Sequence, residues 1–440
     1  MNKKLNTIEL FAGCGGLLDG FEQSGYYRTL ACVEWNKKPI EVLIERLKTK
    51  YNYQNADEIS LRFDIQRTDE LLNGWNNDIE YVNSVGLKSI IDDKIVDLIV
   101  GGPPCQAYSI AGRIQDKDGM KNDYRNYLFE SYLKIVDEFK PKVIVFENVE
   151  GILSAKPQEL KYNDEISNTD TLENNEDTFC LAQNEINIID KIKHEFNISG
   201  YEIIDDIRKY ALIDLSQYSV PQQRKRVILV GLNKDVFTEN RQNILIDFYQ
   251  RLLPKYKGNK ILTVKNAIYD LPKLFPSNKE YTVEGKKKKY SHSPHKTVVK
   301  DHYPRYHNKR DIEIFRTLAF DIESGENKYS DIESLKKLYF EKTGKKSNIH
   351  KYNVLKWNEP SNTIPAHLKK DGLRHIHPDY KQARSITVRE AARIQTFDDD
   401  FEFSGLLSAD YEMIGNAVPP KFALRLANAI YDLIKEQEII

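Results

Sequence analysis

A single cysteine on a stiffened loop is the residue in this sequence best placed to act as a nucleophile. The apolar, β-branched run at residues 95–100 is typical of a buried parallel strand, and Gly101-Gly102-Pro103-Pro104 must end it. Cys105 follows at once, so two fixed proline φ angles restrict the chain just before the thiol. Open α/β sheets bind their ligands at such carboxyl ends of strands. A buried structural cysteine is the alternative, but a packing thiol needs no stiffened approach.

Three charged side chains could work with this thiol. Glu147 directly follows the apolar strand predicted at residues 142–146, so neighbouring strands would bring Cys105 and Glu147 to one edge of the sheet. Arg224 and Arg226 alternate around Lys225 before the strand at 227–231, which predicts that both face one side and bind an anion or a carbonyl oxygen. Ordinary surface arginines are the alternative. A thiolate adds to an electron-poor ring carbon when a carboxyl group supplies a proton or a hydrogen bond to the ring nitrogen.

The amino-terminal stretch predicts a nucleotide-binding turn. A strand at residues 6–10 runs into Phe11-Ala12-Gly13-Cys14-Gly15-Gly16 and then into a helical pattern that extends to Gly25. Glu34 follows about twenty residues later, where such folds place an acid on ribose hydroxyls. The glycine spacing is not GxGxxG, which disfavours NAD. Trp35 could stack on an adenine or be a partly buried aromatic, and Asp64 could accept from the adenine amino group or be an exposed loop residue.

Alternating helices and strands continue to about Lys234 and then stop. Helices are predicted at 39–51, 126–139 and 185–196, with strands at 29–33, near 64–65 and at 201–207. No regular alternation is visible from there to about Ala383. A helix then spans 385–397 with a capping box of Thr387 and Glu390, and residues 415–420 cap a final amphipathic helix. These patterns predict an α/β sheet with helices on both faces and a smaller irregular part.

Composition limits the class of protein. The 440 residues carry a net charge of −1, which excludes a uniformly basic nucleic-acid binder but allows a local basic face. The four cysteines include no CxxC pair, so we expect neither a metal site nor disulfides, and a reducing cytoplasm fits best. No signal peptide or membrane-spanning stretch is recognised. Residues 164–177 hold six acids and no Lys or Arg, which predicts a solvated insertion within about 155–180.

One segment is strongly basic. Residues 286–310 hold nine Lys and Arg against one acid, Asp301. A solvated charged face is the simplest interpretation, but interleaved histidines and tyrosines are typical of phosphate contacts combined with base stacking. The histidines lack a clean metal-ligand spacing. The residues concerned are His292, His295, His302, His307, Tyr290, Tyr303 and Tyr306.

Six motifs in order resemble those of the DNA cytosine-5 methyltransferases. They are Phe-Ala-Gly-Cys-Gly-Gly, Gly-Pro-Pro-Cys-Gln, Glu-Asn-Val, Gln-Gln-Arg-Lys-Arg, Arg-Glu-Ala-Ala-Arg-Ile-Gln and Gly-Asn-Ala-Val-Pro-Pro. The resemblance implies a Rossmann-like methyltransferase sheet and the cofactor S-adenosyl-L-methionine. The catalytic residues it implies are Cys105, Gln106, Glu147, Asn148, Arg224 and Arg226. The cofactor-binding residues it implies are Phe11, Ala12, Gly13, Cys14, Gly15, Gly16, Glu34, Trp35, Asp64, Ile65, Pro104, Asn416, Ala417 and Val418.

The resemblance also implies a division of labour along the chain. Residues 1–233 and 385–440 would form the catalytic domain, and residues 234–384 would form a target-recognition domain that binds double-stranded DNA. Cys105 would add to C6 of a cytosine rotated out of the duplex, as the modification enzyme of a restriction-modification system. We expect a monomer at the bacterial nucleoid, with any cognate restriction endonuclease acting separately. A tRNA cytosine-5 methyltransferase and a DNA-binding protein without catalysis are the alternatives, and intact Cys105, Glu147 and Arg226 argue against the second.

Overall fold

The structure is a computed structural model that describes residues 4–104, 128–155, 188–277, 280–283, 286–289, 291–294, 297–346 and 352–439. Cys105 and Gln106 therefore lie outside the described residues, as do Tyr290, His295 and the acidic stretch 164–177. The predictions for those positions stay predictions.

The central sheet has eight strands, and four short strands form two small ribbons. The sheet strands are β1 Leu5–Leu10, β2 Tyr27–Glu34, β3 Ser60–Arg62, β4 Leu98–Gly101, β5 Val143–Val149, β6 Tyr201–Ile203, β7 Leu212–Asp214 and β8 Lys225–Asn233. The ribbons pair β9 Phe275–Pro276 with β12 His292–Ser293, and β10 Glu280–Val283 with β11 Lys286–Lys289.

Fifteen α-helices are present in the described residues. They are α1 Gly16–Gln23, α2 Lys37–Tyr51, α3 Ala56–Ile59, α4 Thr68–Asn73, α5 Gly86–Ile91, α6 Leu128–Phe139, α7 Ile188–Ile198, α8 Ile207–Tyr210, α9 Arg241–Asp247, α10 Val264–Ile268, α11 Lys309–Ser324, α12 Ile332–Thr343, α13 Val388–Ile394, α14 Leu407–Asn416 and α15 Pro420–Glu436. Shorter helical turns occur at Glu150–Ser154, Leu215–Tyr218, Phe248–Leu252, Pro254–Tyr256 and Ala366–Lys369.

The strand order creates a crevice at one edge of the sheet. The order is β3-β2-β1-β4-β5-β8-β6, with β7 also beside β8. Strands β1 to β5 are parallel, whereas β8 runs antiparallel to its neighbours. The chain leaves β1 toward β2 on one side and returns to it with β4 on the other. Ligands of open α/β sheets bind at such a switch point, outside the carboxyl ends of the strands.

Helices cover both faces of this sheet, as the sequence predicts. Along β2, Ala31 and Val33 pack into the largest core, whereas Cys32 between them packs into a second core with α2. Alternate residues of a strand point to opposite faces, so each face is covered by its own apolar layer. The predicted apolar faces of α6 and α15 pack inward. Leu128, Tyr132, Ile135 and Val136 of α6 are buried and Phe139 is half-buried, and Phe422, Leu426, Ile430 and Leu433 of α15 are buried.

The segment 234–384 contains more regular structure than the sequence prediction allowed. Helices α11 and α12 pack together through Ile314, Phe315 and Leu338 in a core separate from that of the sheet. Asn308 caps α11 by accepting the N–H of Asp311 at 2.9 Å, and Gly325 ends it with a φ of 79°. The prediction of an irregular part is therefore wrong for α11 and α12, because capped helices with short apolar faces form there.

Three predicted boundaries also differ from the structure. The strand predicted at 201–207 ends at Ile203, and Ile207 begins α8. The helix predicted at 385–397 is only α13, although its capping box of Thr387 and Glu390 is present. Residues of α9 and the turn after it, including Leu245 and Phe248, pack into the sheet core beyond the predicted domain end at 233.

No described helix is long and apolar enough to cross a bilayer.

Candidate active site

The glycine-rich turn after β1 is bound directly to the acid at the end of β2. Gly13 and Gly15 have φ angles of 56° and 88°, which favour glycine, and Phe11 shares this left-handed conformation with a φ of 58°. Glu34 accepts the backbone N–H of Gly13 at 2.9 Å and that of Asn36 at 2.7 Å. Burial raises the pKa of Glu34, and the hydrogen bonds from Asn36 and Gly13 oppose the rise. The turn and the carboxylate therefore form one rigid unit.

The turn just before the last helix, α15, packs against this unit. A Cβ on Gly16 would lie 2.4 Å from the carbonyl oxygen of Val418, so only glycine allows the two backbones to approach. Asn416 is exposed, Ala417 is half-buried and Val418 is buried. The carboxyl-terminal motif thus returns to the glycine-rich turn, as expected.

The remaining residues predicted to hold an adenine follow β2 and β3. Trp35 is 46% exposed, and its Nε1 donates to the hydroxyl of Tyr81 at 3.1 Å. Asp64 is half-buried and accepts the N–H of Gln66 at 3.0 Å, while Ile65 is buried. Phe63 donates its N–H to the Glu34 carbonyl at 3.2 Å, which holds the two strand ends together.

The thiol of Cys14 in the glycine-rich turn is buried, and burial raises its pKa, so it is not suited to act as a nucleophile.

Strands β4 and β5 bring the loop before Cys105 against Glu147. Gly101 pairs with Phe146, so Gly102 lies beside Glu147. A Cβ on Gly102 would be 2.7 Å from Glu147 Oε2. Asn148 donates through Nδ2 to the carbonyl of Pro103 at 3.3 Å, and Pro104 at the end of this loop is exposed. Asn148 therefore braces the Pro-Pro turn against the strand that carries Glu147.

Glu147 and Arg226 form an ion pair at this edge. Antiparallel pairing of β5 with β8 places Val149 opposite Arg226, and Arg226 Nε lies 2.8 Å from Glu147 Oε1. The side chains are 13% and 12% exposed, so both are largely shielded but reachable. Burial lowers the pKa of Arg226 and the charge of Glu147 opposes this, as expected for a pair in a low-dielectric crevice.

Arg224 does not join this pair, which corrects the prediction that the two arginines bind a ligand together. Its side chain is buried, and its guanidinium donates to the carbonyls of Ile364 at 3.2 Å, Gly415 at 3.3 Å and Ala417 at 3.1 Å. Burial lowers the pKa of Arg224, and the charge of Arg226 lowers it further. Arg224 therefore holds the carboxyl-terminal turn against the start of β8.

Two glutamines, for which the sequence pattern indicates no role, also link the carboxyl-terminal turn to the start of β8. Gln222 is fully buried and donates to Gln395 Oε1 at 2.6 Å, while Gln395 donates to the Ala417 carbonyl at 2.6 Å. Gln222 also accepts the N–H of Ile364 at 3.0 Å. Both glutamines stand in motifs that were recognised, but a glutamine that is fully buried cannot be told from an exposed one by type alone.

The basic segment 286–310 is also corrected in part. The described histidines are buried and donate to or accept from protein groups: His292 with the Gln382 carbonyl at 2.8 Å, His302 with the Pro272 carbonyl at 2.7 Å, and His307 with Ser385 Oγ at 3.2 Å. Burial lowers the pKa of His292 to about 4 and that of His307 to about 3. The prediction that these histidines contact phosphates was wrong, although Tyr306 is exposed.

The sequence model of the C-5 cytosine-specific DNA methylases matches residues 5–432. The chain belongs to that family. The match spans nearly the whole chain and includes all six motifs, so the resemblance stated above is confirmed. This methylase is a DNA (cytosine-5-)-methyltransferase, and its α/β fold is the one expected.

The methylase is similar to type II methyltransferases of restriction-modification systems. It is 33% identical over 483 aligned residues to type II methyltransferase M.Bpa9945I of Bacillus paralicheniformis, with 97% of this chain and 99% of that protein covered. Over 448 residues it is 30% identical to M.DdeI of Desulfomicrobium norvegicum, with coverage of 97% and 88%. Among solved structures, a prophage-encoded DNA modification methyltransferase of E. coli shares the fold, with a TM-score of 0.60, 22% identity and coverage of 98% and 100%.

Proposed function

We propose that this methylase transfers the methyl group of S-adenosyl-L-methionine to C5 of a cytosine flipped out of a specific duplex DNA sequence. The reaction would pass through a covalent bond between Cys105 and C6, and the enzyme would protect host DNA in a restriction-modification system. The observation that carries the proposal is the Glu147–Arg226 pair at 2.8 Å, at the carboxyl end of β5 and beside the loop that leads from β4 to Cys105. These groups can bind the polar edge of a pyrimidine while a thiolate adds to its ring.

The residues at the switch point fit the proposed methyl donor. A Cβ on Gly13 would project into open space, so the turn leaves room for a ligand against its backbone. Glu34 holds a carboxylate at that turn to accept from ribose hydroxyls, and Trp35 offers an indole that is 46% exposed to stack on adenine. Asp64 would accept from the adenine amino group. S-adenosyl-L-methionine, when bound, supplies an electrophilic methyl group.

The proposed chemistry divides between three side chains. The thiolate of Cys105 forms a bond to C6 of cytosine while Glu147 donates a hydrogen bond or proton to N3 and Arg226 holds the ring carbonyl oxygen. Electron density moves to C5, which would accept the methyl group as the methyl–sulfur bond of the donor breaks and its electron pair stays on sulfur. The C5 proton then passes to water, the double bond between C5 and C6 re-forms, the bond to Cys105 breaks to release the thiolate, and any proton held at N3 returns to Glu147. Arg224 has no place in these steps, because its side chain is buried and its two terminal nitrogens donate to protein carbonyls.

The proposal extends to the division of the chain. Helices α11 and α12 share a core of their own with Val354, Ile376 and Ala383, which supports this part of residues 234–384 as the part that reads the DNA sequence. Leu245 and Phe248 of the same segment instead pack in the core of the sheet. A cognate endonuclease acting separately and a monomeric state remain parts of the same proposal.

Replacing Cys105 tests the proposed nucleophile. Cys105→Ala should reduce methyl transfer from labelled S-adenosyl-L-methionine to duplex DNA by several orders of magnitude, because C5 is not nucleophilic without addition at C6. Binding of the same DNA should persist. Cys180→Ala, a cysteine to which no role is assigned, serves as the matched control and should keep full activity.

Two outcomes of this assay would contradict the proposal. Methylation by Cys105→Ala at the rate of the unmodified enzyme would exclude Cys105 as the nucleophile. Label that enters tRNA but not duplex DNA would overturn the proposed substrate. Bisulfite sequencing of DNA from an expressing host would then identify the methylated cytosine and its sequence context.

A further inference from the structure

The segment between β3 and β4 contains a closed loop, residues 75–84, that has no part in the sheet. Trp75 and Ser84 exchange backbone hydrogen bonds at 2.9 and 3.1 Å, which pin the two ends of the loop together. The indole of Trp75 donates to the Val82 carbonyl inside the loop at 2.9 Å. We call residues 75–84 the 75–84 loop. Its closure fixes its shape independently of any ligand.

Inside the 75–84 loop, Asp78 organises the backbone around Tyr81. Asp78 Oδ1 accepts the N–H groups of Glu80 and Tyr81 at 2.8 and 3.0 Å, and Asp78 Oδ2 pairs with Arg67 at 2.6 Å. Arg62, at the end of β3, donates to the Glu80 carbonyl at 2.9 Å. The backbone at Tyr81 is therefore tied to the end of the sheet at which the proposed cofactor site lies.

The ring of Tyr81 is buried among aromatic and guanidinium groups. It is 7% exposed, its centroid lies 4.9 Å from that of Phe63, and the Arg62 guanidinium lies 5.1 Å above it. Phe63 in turn stacks on Trp75 at 3.8 Å. Such packing leaves the ring of Tyr81 one orientation and therefore fixes the position of its hydroxyl.

The hydroxyl of Tyr81 bonds to Trp35, one of the two residues proposed to hold the adenine. It accepts from Trp35 Nε1 at 3.1 Å, so a fixed group of the 75–84 loop constrains the indole plane. Burial raises the pKa of Tyr81, the bond from Trp35 opposes the rise, and the charges of Glu80 and then Asp64 add to it.

We propose that Tyr81 is a positioning residue that orients Trp35 for stacking on the purine ring of the cofactor. The inference rests on the proposed function, in which S-adenosyl-L-methionine places its adenine against Trp35 and Asp64. The indole of Trp35 is 46% exposed, so loss of the bond to Tyr81 would increase its rotational freedom, and cofactor binding would have to restrict it. Fixing the indole in advance lowers that entropic cost, which is the general advantage of preorganisation.

Removing one oxygen atom tests this inference. Tyr81→Phe keeps the ring and its packing but removes the acceptor for Trp35 Nε1. The dissociation constant and KM for S-adenosyl-L-methionine should rise about threefold to tenfold, the range expected for one net hydrogen bond, while kcat stays unchanged. Calorimetric titration and steady-state kinetics measure these values, and thermal unfolding without cofactor should be unaltered.

Tyr256→Phe is the matched control. Its hydroxyl bonds to Asp432 at 2.7 Å, close to Tyr26 at the amino end of β2 and so at the sheet edge opposite the proposed cofactor site. This variant loses one tyrosine hydroxyl hydrogen bond without altering the surroundings of Trp35. Cofactor binding by Tyr256→Phe should therefore equal that of the unmodified enzyme.

A double-mutant cycle separates this role from general packing. In a Trp35→Phe background no indole N–H exists, so Tyr81→Phe should cause no further weakening of cofactor binding. Equal weakening in both backgrounds would overturn the inference, as would an unchanged dissociation constant for Tyr81→Phe alone. Failure of the unmodified enzyme to bind S-adenosyl-L-methionine would instead refute the proposed function together with this inference.

Discussion

At the scale of the residue, the position of Glu147 depends on a neighbour that has no side chain. Gly102 lies on the adjacent strand end, and its missing Cβ leaves the space that Glu147 Oε2 occupies. Arg226 holds the other oxygen of the same carboxylate at 2.8 Å. The carboxylate is thus fixed from two sides, and a small change on either side must move it relative to a bound cytosine.

A methyl group at position 102 should therefore reduce catalysis. Gly102→Ala would place a Cβ 2.7 Å from Glu147 Oε2, so the carboxylate must shift or rotate. We expect kcat for DNA methylation to fall by about 10²-fold, the effect of misplacing a catalytic group by about 1 Å. Single-turnover methylation assays measure this rate.

Gly25→Ala is a suitable control for that substitution. Gly25 has a φ of 76° and nothing within 4 Å of an added Cβ, so alanine would strain the backbone by about 1 kcal/mol without touching the site. It should lower stability and leave kcat intact. Normal kcat for Gly102→Ala would show that Glu147 tolerates displacement.

At the scale of the element, helices α1 and α15 close the two ends of the chain on each other. The contact depends on Gly20, because an added Cβ would lie 2.4 Å from the backbone nitrogen of Leu424 and 2.4 Å from Ala423 Cβ. Together with Gly16 against Val418, this close approach keeps the carboxyl-terminal motif beside the glycine-rich turn. The two helices thus hold both halves of the proposed cofactor site in register.

Forcing α1 and α15 apart should weaken both fold and cofactor binding. Gly20→Ala should lower the free energy of unfolding by about 1–3 kcal/mol, the usual effect of overpacking, and raise the dissociation constant for S-adenosyl-L-methionine. Urea denaturation and calorimetry measure the two quantities. Lys421→Ala, exposed on the same helix α15, should change stability by less than about 0.5 kcal/mol. Gly20→Ala that matches Lys421→Ala in both measurements would disprove the tight contact.

At the scale of the whole molecule, a buried polar cluster joins the segment 291–307 to residues 375–390. Its centre is the ion pair of Arg384 and Glu390 at 2.6 Å, with both side chains almost fully buried. Burial raises the pKa of Glu390, but the charge and hydrogen bonds of Arg384 together with the nearby histidines outweigh it, so the pKa is lowered. Five histidines of these two segments are buried: His292, His302, His307, His375 and His377.

Because these histidines are buried, we expect the free energy of unfolding to fall at mildly acid pH. Burial lowers the pKa of His292 and His375 to about 4 and that of His307 and His377 to about 3. The unfolded chain takes up these protons near pH 6.5, whereas the folded chain does not until pH 3–4. The contribution of these histidines to the free energy of unfolding is therefore fully present above pH 6.5. It is lost as the pH falls below 6.5, by up to about 1.4 kcal/mol per pH unit for each histidine.

Urea denaturation at pH 7.5, 6 and 5 would measure this loss. His194→Gln, which replaces an exposed histidine, should leave the pH dependence as it is in the unmodified enzyme. A midpoint that stays constant between pH 7.5 and 5 would contradict the burial of neutral histidines in this cluster.

Most of the sheet could be predicted from the sequence because its signals are local. Apolar β-branched runs mark β4 and β5, and glycines mark the turn after β1. The helices α11 and α12 were missed because polar residues cover most of their surface and only their short buried faces and caps identify them. The burial of His292, His302 and His307 could not be predicted either, because residue type alone does not distinguish a histidine in a core from one on a basic surface.

The sequence by itself determined the family and the chemical groups at the proposed site. The six motifs are short continuous stretches in a fixed order, so they can be identified without knowledge of the fold. The tertiary structure decided which of these groups meet. It paired Arg226 with Glu147 by inserting the antiparallel strand β8 beside β5, and it turned Arg224 away toward the carbonyls of residues 364, 415 and 417. Contacts between distant segments follow from strand order and burial, and no local pattern of residues encodes either.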